Sequence, residues 1–216
     1  MEIPEILMRK AQELEAYYRE HCPEAVPLVK NCFLNTIETT VKQTGDDYFV
    51  ITGDIPAMWL RDSTAQIMHY VRYAGENESL QEIIEGVIRR QARMVLTDPY
   101  ANAFNQEANG NCWEHDETEM LPWIWERKYE LDSLCYPIQL SYLVWKNTGR
   151  TDQFDETFVK GVRRILEVWR TEQQHEEKSP YHFVRKGCYY TDTLSRGGKG
   201  ALVKSGTGLI WSGFRP

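Results

Sequence analysis

Apolar residues recur at helical spacing along most of the chain, in two distinct patterns. In the first, Leu80, Ile83, Ile84, Val87, Ile88, Met94 and Val95 keep the i, i+3, i+4, i+7 rhythm of a helix with one greasy side, and Phe154, Phe158, Val162, Ile165, Leu166 and Trp169 repeat it. In the second, Ile67–Ala74 and Ile138–Trp145 carry apolar side chains nearly all round, as a helix does when both of its sides are covered. Read in order, the chain is one-sided over 26–42, all-round over 63–74, one-sided over 79–96, all-round over 134–147 and one-sided over 152–174. Outer and inner helices therefore alternate. That alternation predicts an all-α dominated α/α barrel, with inner helices around an axis, outer helices packed on them and long loops at one rim. A plain bundle or a solenoid would satisfy the same periodicity.

Between the helices lie short extended runs, Tyr48–Thr52, Trp123–Trp125 and Tyr181–Arg185, and the glycine-rich loop 196–200. They read as rim decorations. No shift in composition and no low-complexity linker divides the chain, so residues 1–216 are expected to be one domain. Ser205–Pro216 is aromatic and turn-rich up to its final residue, and three outer with two inner helices make only part of a ring, so the barrel is expected to be incomplete in this chain.

The totals narrow the function. With 216 residues, 42% of them hydrophobic and 26% charged, the chain can build one sizeable core, and no run approaches the roughly 20 apolar residues of a membrane span. Met1-Glu2-Ile3-Pro4-Glu5 lacks the basic start and apolar stretch of a secretory signal, which predicts a cytoplasmic protein. Five cysteines, an odd set without a CxxC pair, are expected to be reduced and mostly buried rather than disulfide-bonded or zinc-binding. A net charge of −7 disfavours nucleic acid and anionic membranes as partners. A neutral ligand fits better, and an aromatic share of 12%, much of it in loops, would serve to stack on a sugar.

Candidate chemistry gathers at four places. Trp59-Leu60-Arg61-Asp62-Ser63-Thr64 delivers an aromatic plate, a guanidinium and a carboxylate where a helix begins; Asp62 there is either a helix cap or part of a sugar grip. Trp113-Glu114-His115-Asp116-Glu117-Thr118-Glu119 packs four acids and a histidine into one loop, readable as a wet acidic surface, as acceptors for sugar hydroxyls or as a divalent metal site, though it has neither HExxH nor EF-hand spacing. Glu130-Leu131-Asp132-Ser133 again leads carboxylates into an inner helix, with Pro137 expected in its first turn and Asp132 as cap or ligand. Asp192 and Arg215 are further loop candidates. Glycosidic cleavage needs one protonated carboxyl and one carboxylate, and the acids present do not by themselves select such a pair. Asp46-Asp47-Tyr48-Phe49-Val50 lacks the second acid of a DDxxD motif, which argues against an isoprenoid cyclase or transferase.

The strings Ile55-Pro56-Ala57-Met58-Trp59-Leu60-Arg61-Asp62-Ser63, Trp113-Glu114-His115-Asp116-Glu117, Glu130-Leu131-Asp132-Ser133-Leu134-Cys135-Tyr136-Pro137 and Trp211-Ser212-Gly213-Phe214-Arg215-Pro216 together resemble glycoside hydrolase family 125. The resemblance runs from about residue 26 onward. It implies an (α/α)6 barrel of the six-hairpin type and a metal-independent, inverting exo-α-1,6-mannosidase with no cofactor, acting on mannosides derived from glycans. It also implies a length about twice that of this chain, with the catalytic acid just past the Ser-Gly-Phe-Arg-Pro string and the base further on, so that the residues present are expected to bind rather than to cleave. By the same resemblance Trp59, Arg61, Asp62, Glu114 and His115 are the expected sugar contacts, joined by Glu117, Asp132 and Arg215. The rival expectation is a non-catalytic helical carbohydrate-binding or scaffold module.

Overall fold

Helix α3 (Leu60–Met68) packs along α6 (Leu131–Thr148), while α5 (Glu78–Thr97) packs along α7 (Glu156–Glu172). The all-round helices thus pair with each other and the one-sided helices with each other, as consecutive hairpins of an α/α ring require. The computed structural model describes residues 2–187, 193–203 and 206–214. Helix α5 buries the apolar stripe read from its spacing, Leu80, Ile83, Ile84, Val87, Ile88, Met94 and Val95 included. Its start is fixed by Asn77, whose side chain accepts from the Leu80 amide at 2.8 Å, and Asp155 caps α7 in the same way, accepting from Phe158 at 2.7 Å.

Several expectations are corrected. The segment 26–42 is not one helix: α2 (Val26–Cys32) gives way to a wide turn at Thr36–Thr40 and then to strand β1 (Val41–Thr44), which pairs antiparallel with β2 (Asp47–Val50). Val41 is buried in that hairpin rather than in a helical stripe, and β2 falls on the run Tyr48–Thr52 expected to be extended, burying Phe49 and Val50. An N-terminal helix, α1 (Glu5–His21), precedes it and buries Ile6, Leu7 and Ala11. The inner segment 63–74 is broken after Met68 and resumes as α4 (Val71–Ala74), with the Tyr70 hydroxyl donating to the Phe33 carbonyl at the break. Pro137 lies in the interior of α6, because that helix starts at Leu131; the Ser133 carbonyl one turn back therefore has no amide donor from this position.

The inner helices are also not covered all round by this chain's described residues. On α6, Leu134, Leu140 and Val144 are buried while Tyr142 and Trp145 are exposed. Nor are the thiols buried as expected: Cys32 and Cys135 are exposed, Cys22 and Cys112 half-buried, and Cys188 falls outside the described residues. No helix among the described residues is long and apolar enough to cross a membrane.

At the helix starts sits a small antiparallel sheet ordered β3 (Met58–Trp59), β4 (Ala103–Phe104) and β5 (Ile124–Glu126). Strand β5 falls where an extended run was expected, whereas Tyr181–Arg185 forms only an isolated bridge, between Val184 and Glu117. This sheet supplies the floor from which α3 and α6 rise.

Candidate functional site

Strand β3 turns directly into α3, so Trp59, with extended backbone, is the residue flanking the helix. The corner is pinned by backbone bonds: Trp59 N–H donates to Thr52 Oγ1 at 3.0 Å and Leu60 N–H to the Asn102 carbonyl at 3.0 Å. At the second inner helix, Glu130 occupies the equivalent place, and its Oε2 accepts from Ser133 Oγ at 3.0 Å. Glu130 also bridges to Phe214 through the backbone.

Arg61 joins the two helix starts. Its Nη1 lies 2.9 Å from Glu130 Oε2 and 3.4 Å from Asp132 Oδ2, and its Nη2 lies 2.9 Å from Asp62 Oδ2. Burial would lower the guanidinium pKa, but the charges of Glu130, Asp62 and Asp132 outweigh it and hold the group above its ordinary value. Neither aspartate caps its helix. Asp62 and Asp132 lie inside the first turns, where a negative charge also favours the positive end of the helix dipole, and their partner is Arg61 rather than a backbone amide. The capping alternative for both is thereby set aside.

These groups open on a cavity of about 470 Å³ lined by Trp59, Arg61, Asp62, Glu126, Lys128 and Glu130, with Thr52, Ile55, Asn102 and Phe214 completing the wall. Glu126 is held from three sides: Asn102 Nδ2 donates to Oε2 at 2.9 Å, and Lys128 Nζ and Arg185 Nη2 approach Oε1 at 3.3 and 3.2 Å. Lys128 in turn lies 5.3 Å from the centre of the Phe214 ring. The result is a polar pocket with an indole and a phenyl ring on its walls and carboxylates that retain lone pairs for hydroxyl donors. Such a composition suits a neutral polyol such as a pyranose, whose apolar faces stack and whose hydroxyls bond. No cluster of three or more histidine, cysteine or acidic side chains able to hold a metal ion occurs among the described residues.

Glu114, His115 and Glu117, also expected as sugar contacts, do not line this cavity. Glu114 and His115 line a second cavity of about 420 Å³ with Cys112, Asp116 and Met120, and it shares no lining residue with the first. Glu117 pairs with Lys186 at the surface and exchanges backbone hydrogen bonds with Val184. The cause is visible in the acidic loop itself, where Asp116 rather than Glu114 turns inward. Arg185 grips Asp116 with both arms of its fork, at 2.6 and 2.7 Å, and hydrogen bonding to Asp116 is the largest of the influences raising the Arg185 pKa. The same guanidinium reaches Glu126, so the loop is tied to the first cavity without entering it. Arg215 and Asp192 lie outside the described residues. Asn102, Glu126, Lys128 and Glu130 were not among the expected contacts.

Comparison with known proteins fits this geometry. The family model described as metal-independent α-mannosidase, glycoside hydrolase family 125, matches residues 23–216. The meiotically up-regulated gene 157 protein of Schizosaccharomyces pombe is 34% identical over 210 residues, covering 88% of this chain and 41% of the yeast protein. A solved Streptococcus pneumoniae structure, from a family of metal-independent α-mannosidases and in a non-productive complex with α-1,6-mannobiose, superposes with a TM-score of 0.91 at 46% identity. That match covers 98% of this chain and 50% of the pneumococcal one, so the chain spans half or less of the length of both relatives. The chain belongs to glycoside hydrolase family 125, the metal-independent α-mannosidases.

Proposed function

We propose that this chain supplies the sugar-binding side of an inverting exo-α-1,6-mannosidase, and that the cavity between Trp59 and Phe214 receives the terminal mannose. The observation that carries the reading is the convergence of Arg61, Asp62, Asp132 and Glu130 at the starts of two adjacent inner helices, beside an indole and a phenyl ring. It is supported by the α-1,6-mannobiose bound in the pneumococcal relative.

In this reading Asp62, Glu126, Glu130 and Asp132 accept hydrogen bonds from sugar hydroxyls, Arg61 and Lys128 donate, and Trp59 stacks on a pyranose face. Arg215 is proposed to join them. Glu114, His115 and Glu117, on their separate loop, are not assigned to the terminal sugar. The cavity carboxylates are engaged by cations and are binding groups. The proton donor and the water-activating carboxylate are proposed to come from sequence outside this chain, which spans half of the pneumococcal relative, with the closed (α/α)6 ring completed there too. Inversion needs those two carboxyls far enough apart to admit a water, about 6.5–9.5 Å. We place the protein in the cytoplasm and require no metal or cofactor.

The test is to follow hydrolysis of α-1,6-mannobiose by the protein as its source produces it, using proton NMR, beside the α-1,2 and α-1,3 isomers. Release of β-mannose first, from the 1,6 isomer, is expected. Binding without release would favour a non-catalytic carbohydrate module, and first release of α-mannose would overturn inversion.

A further inference from the structure

Glu172 and His175 form a buried pair that the sugar cavity does not require. Glu172, the last residue of α7, is wholly buried; its Oε1 accepts from Tyr100 Oη at 2.8 Å and from Ser179 Oγ at 2.6 Å. His175 Nδ1 lies 2.6 Å from Glu172 Oε2, and His175 Nε2 lies 2.8 Å from the Lys199 carbonyl oxygen. Carbonyl and carboxylate oxygens only accept, so a ring that satisfies both carries a hydrogen on each nitrogen and is an imidazolium. Its face stacks on Trp211 at 3.7 Å between ring centres. The indole in turn fills a slot that Gly200, at φ +80°, and Gly213 leave open, since a side chain on either would meet the ring.

Trp211 begins a strap that ends in the sugar cavity. Its amide donates to the Glu172 carbonyl at 3.2 Å, Ser212 Oγ accepts from Leu131 N–H at 3.2 Å, and Phe214 N–H donates to the Tyr129 carbonyl at 3.0 Å. Phe214 then stands in the cavity wall beside Lys128.

We propose that His175 is a positioning residue: its imidazolium, fixed between Glu172 and the Lys199 carbonyl, holds Trp211 and so seats the strap 211–214 that presents Phe214 to the sugar. The consequence for sugar rests on the mannoside reading above; the positioning does not. If the ring loses one proton, whichever nitrogen loses it turns a lone pair toward an oxygen, and one anchoring contact becomes repulsive. The groups facing the ring are Glu172 of α7, Glu176 on its own short helix, the Lys199 carbonyl, and, beyond Glu172 and Trp211, the phenols of Tyr100, Tyr129 and Tyr181. Glu176 is itself paired with Arg196. Burial opposes the ring's charge, but Glu172, the Lys199 carbonyl and Glu176 outweigh it, so the pKa stands above the ordinary histidine value.

The experiment is amide hydrogen exchange of the chain from pH 6 to 9.5, corrected for intrinsic rates, with tryptophan emission and the imidazole nitrogen shifts of His175 followed in parallel. From about pH 6.5, where the ring of an opened strap loses its proton, up to the pH at which the closed ring titrates, protection at Leu131 and Phe214 is expected to fall by up to about tenfold per pH unit and then level off, while α5 amides hold, because one proton is linked to the opening. Emission from Trp211 is expected to rise at the midpoint of the His175 ring's own titration and not in Trp211→Phe, since a neighbouring imidazolium quenches indole. His175→Asn, whose amide still donates to Glu172 but does not titrate, should give a flat profile; if it does not fold, the wild-type profile decides. Protection unchanged between about pH 6.5 and the pH at which His175 titrates overturns the proposal. Binding of α-1,6-mannobiose separates the two readings. PH-dependent protection without sugar binding at any pH leaves the strap and removes the mannoside site. Sugar binding with flat protection does the reverse.

Discussion

Arg61 Nη1 and Glu130 Oε2 stand 2.9 Å apart, so one ion pair ties the start of α3 to the start of α6. Both side chains are largely removed from water, at 14% and 5% exposure. Replacing Arg61 by Ala removes the cation between a buried carboxylate and two others, and breaking such a buried pair costs about 3–5 kcal/mol. Arg61→Lys should recover less than half of that, because a single ammonium cannot fork toward Glu130 and Asp62 together. Urea denaturation of the two variants checks both values; a loss below about 1 kcal/mol in Arg61→Ala would show that the pair does not hold the helix starts.

Asp62 provides the contrast. It neither caps α3 nor is deeply buried, so Asp62→Asn should change stability by less than about 1 kcal/mol, as for a partly exposed ion pair. Affinity for α-1,6-mannobiose should fall at least tenfold, the loss of a charged hydrogen bond of about 1.5–3 kcal/mol. Calorimetric binding and thermal melts on the same sample decide the matter, and the opposite pattern would return Asp62 to a structural role.

Gly86 tests the packing of α5 on the β1–β2 hairpin. Alanine there gains about 1 kcal/mol of helix propensity, but its methyl group would run into the Tyr48 ring. Overpacking of that kind costs about 1–3 kcal/mol, so Gly86→Ala is expected to be neutral to destabilising despite the better helix former. Tyr48→Ala should abolish the penalty in a double-mutant cycle. A plain gain in melting temperature for Gly86→Ala would mean the hairpin yields freely.

The helical half of this architecture was written in the sequence because burial there follows a 3.6-residue period: the stripe of α5 lies where its spacing puts it. Of the hairpin at 41–50 the second strand was legible, as the extended run Tyr48–Thr52, but the first was not, since Val41 lies at the end of what reads as a helical stripe and only the Gly45 turn, at φ +63°, marks the reversal. At the site, Arg61 and the two helix starts were legible as charges placed against a helix onset. Glu126, Lys128 and Glu130 were missed although their signal is present: they alternate at every second residue along an extended run into α6, and all three face the same cavity. Glu114 and His115 line a separate cavity for a different reason. Charge density in a loop does not say which acid turns inward, and here the choice is made by Arg185, distant in sequence, pairing with Asp116.

His175 gives the pH dependence of stability a sign. Its folded pKa is raised above the ordinary 6.5, so the folded chain keeps a proton that the unfolded chain releases. The stabilisation is complete below about 6.5 and is lost as pH rises through the folded value. Melting temperature should therefore decline on the alkaline side of neutrality in the wild type and less steeply in His175→Asn. Parallel declines in the two proteins would assign the loss to other groups.

The most direct measurement is a crystal of this chain soaked with α-1,6-mannobiose. Density for a terminal mannose between Trp59 and Phe214, with hydroxyls within hydrogen-bond reach of Arg61, Asp62 and Glu126, is the predicted result. A sugar seated instead under Glu114 and His115, with the Arg61 cavity holding only water, would contradict the account.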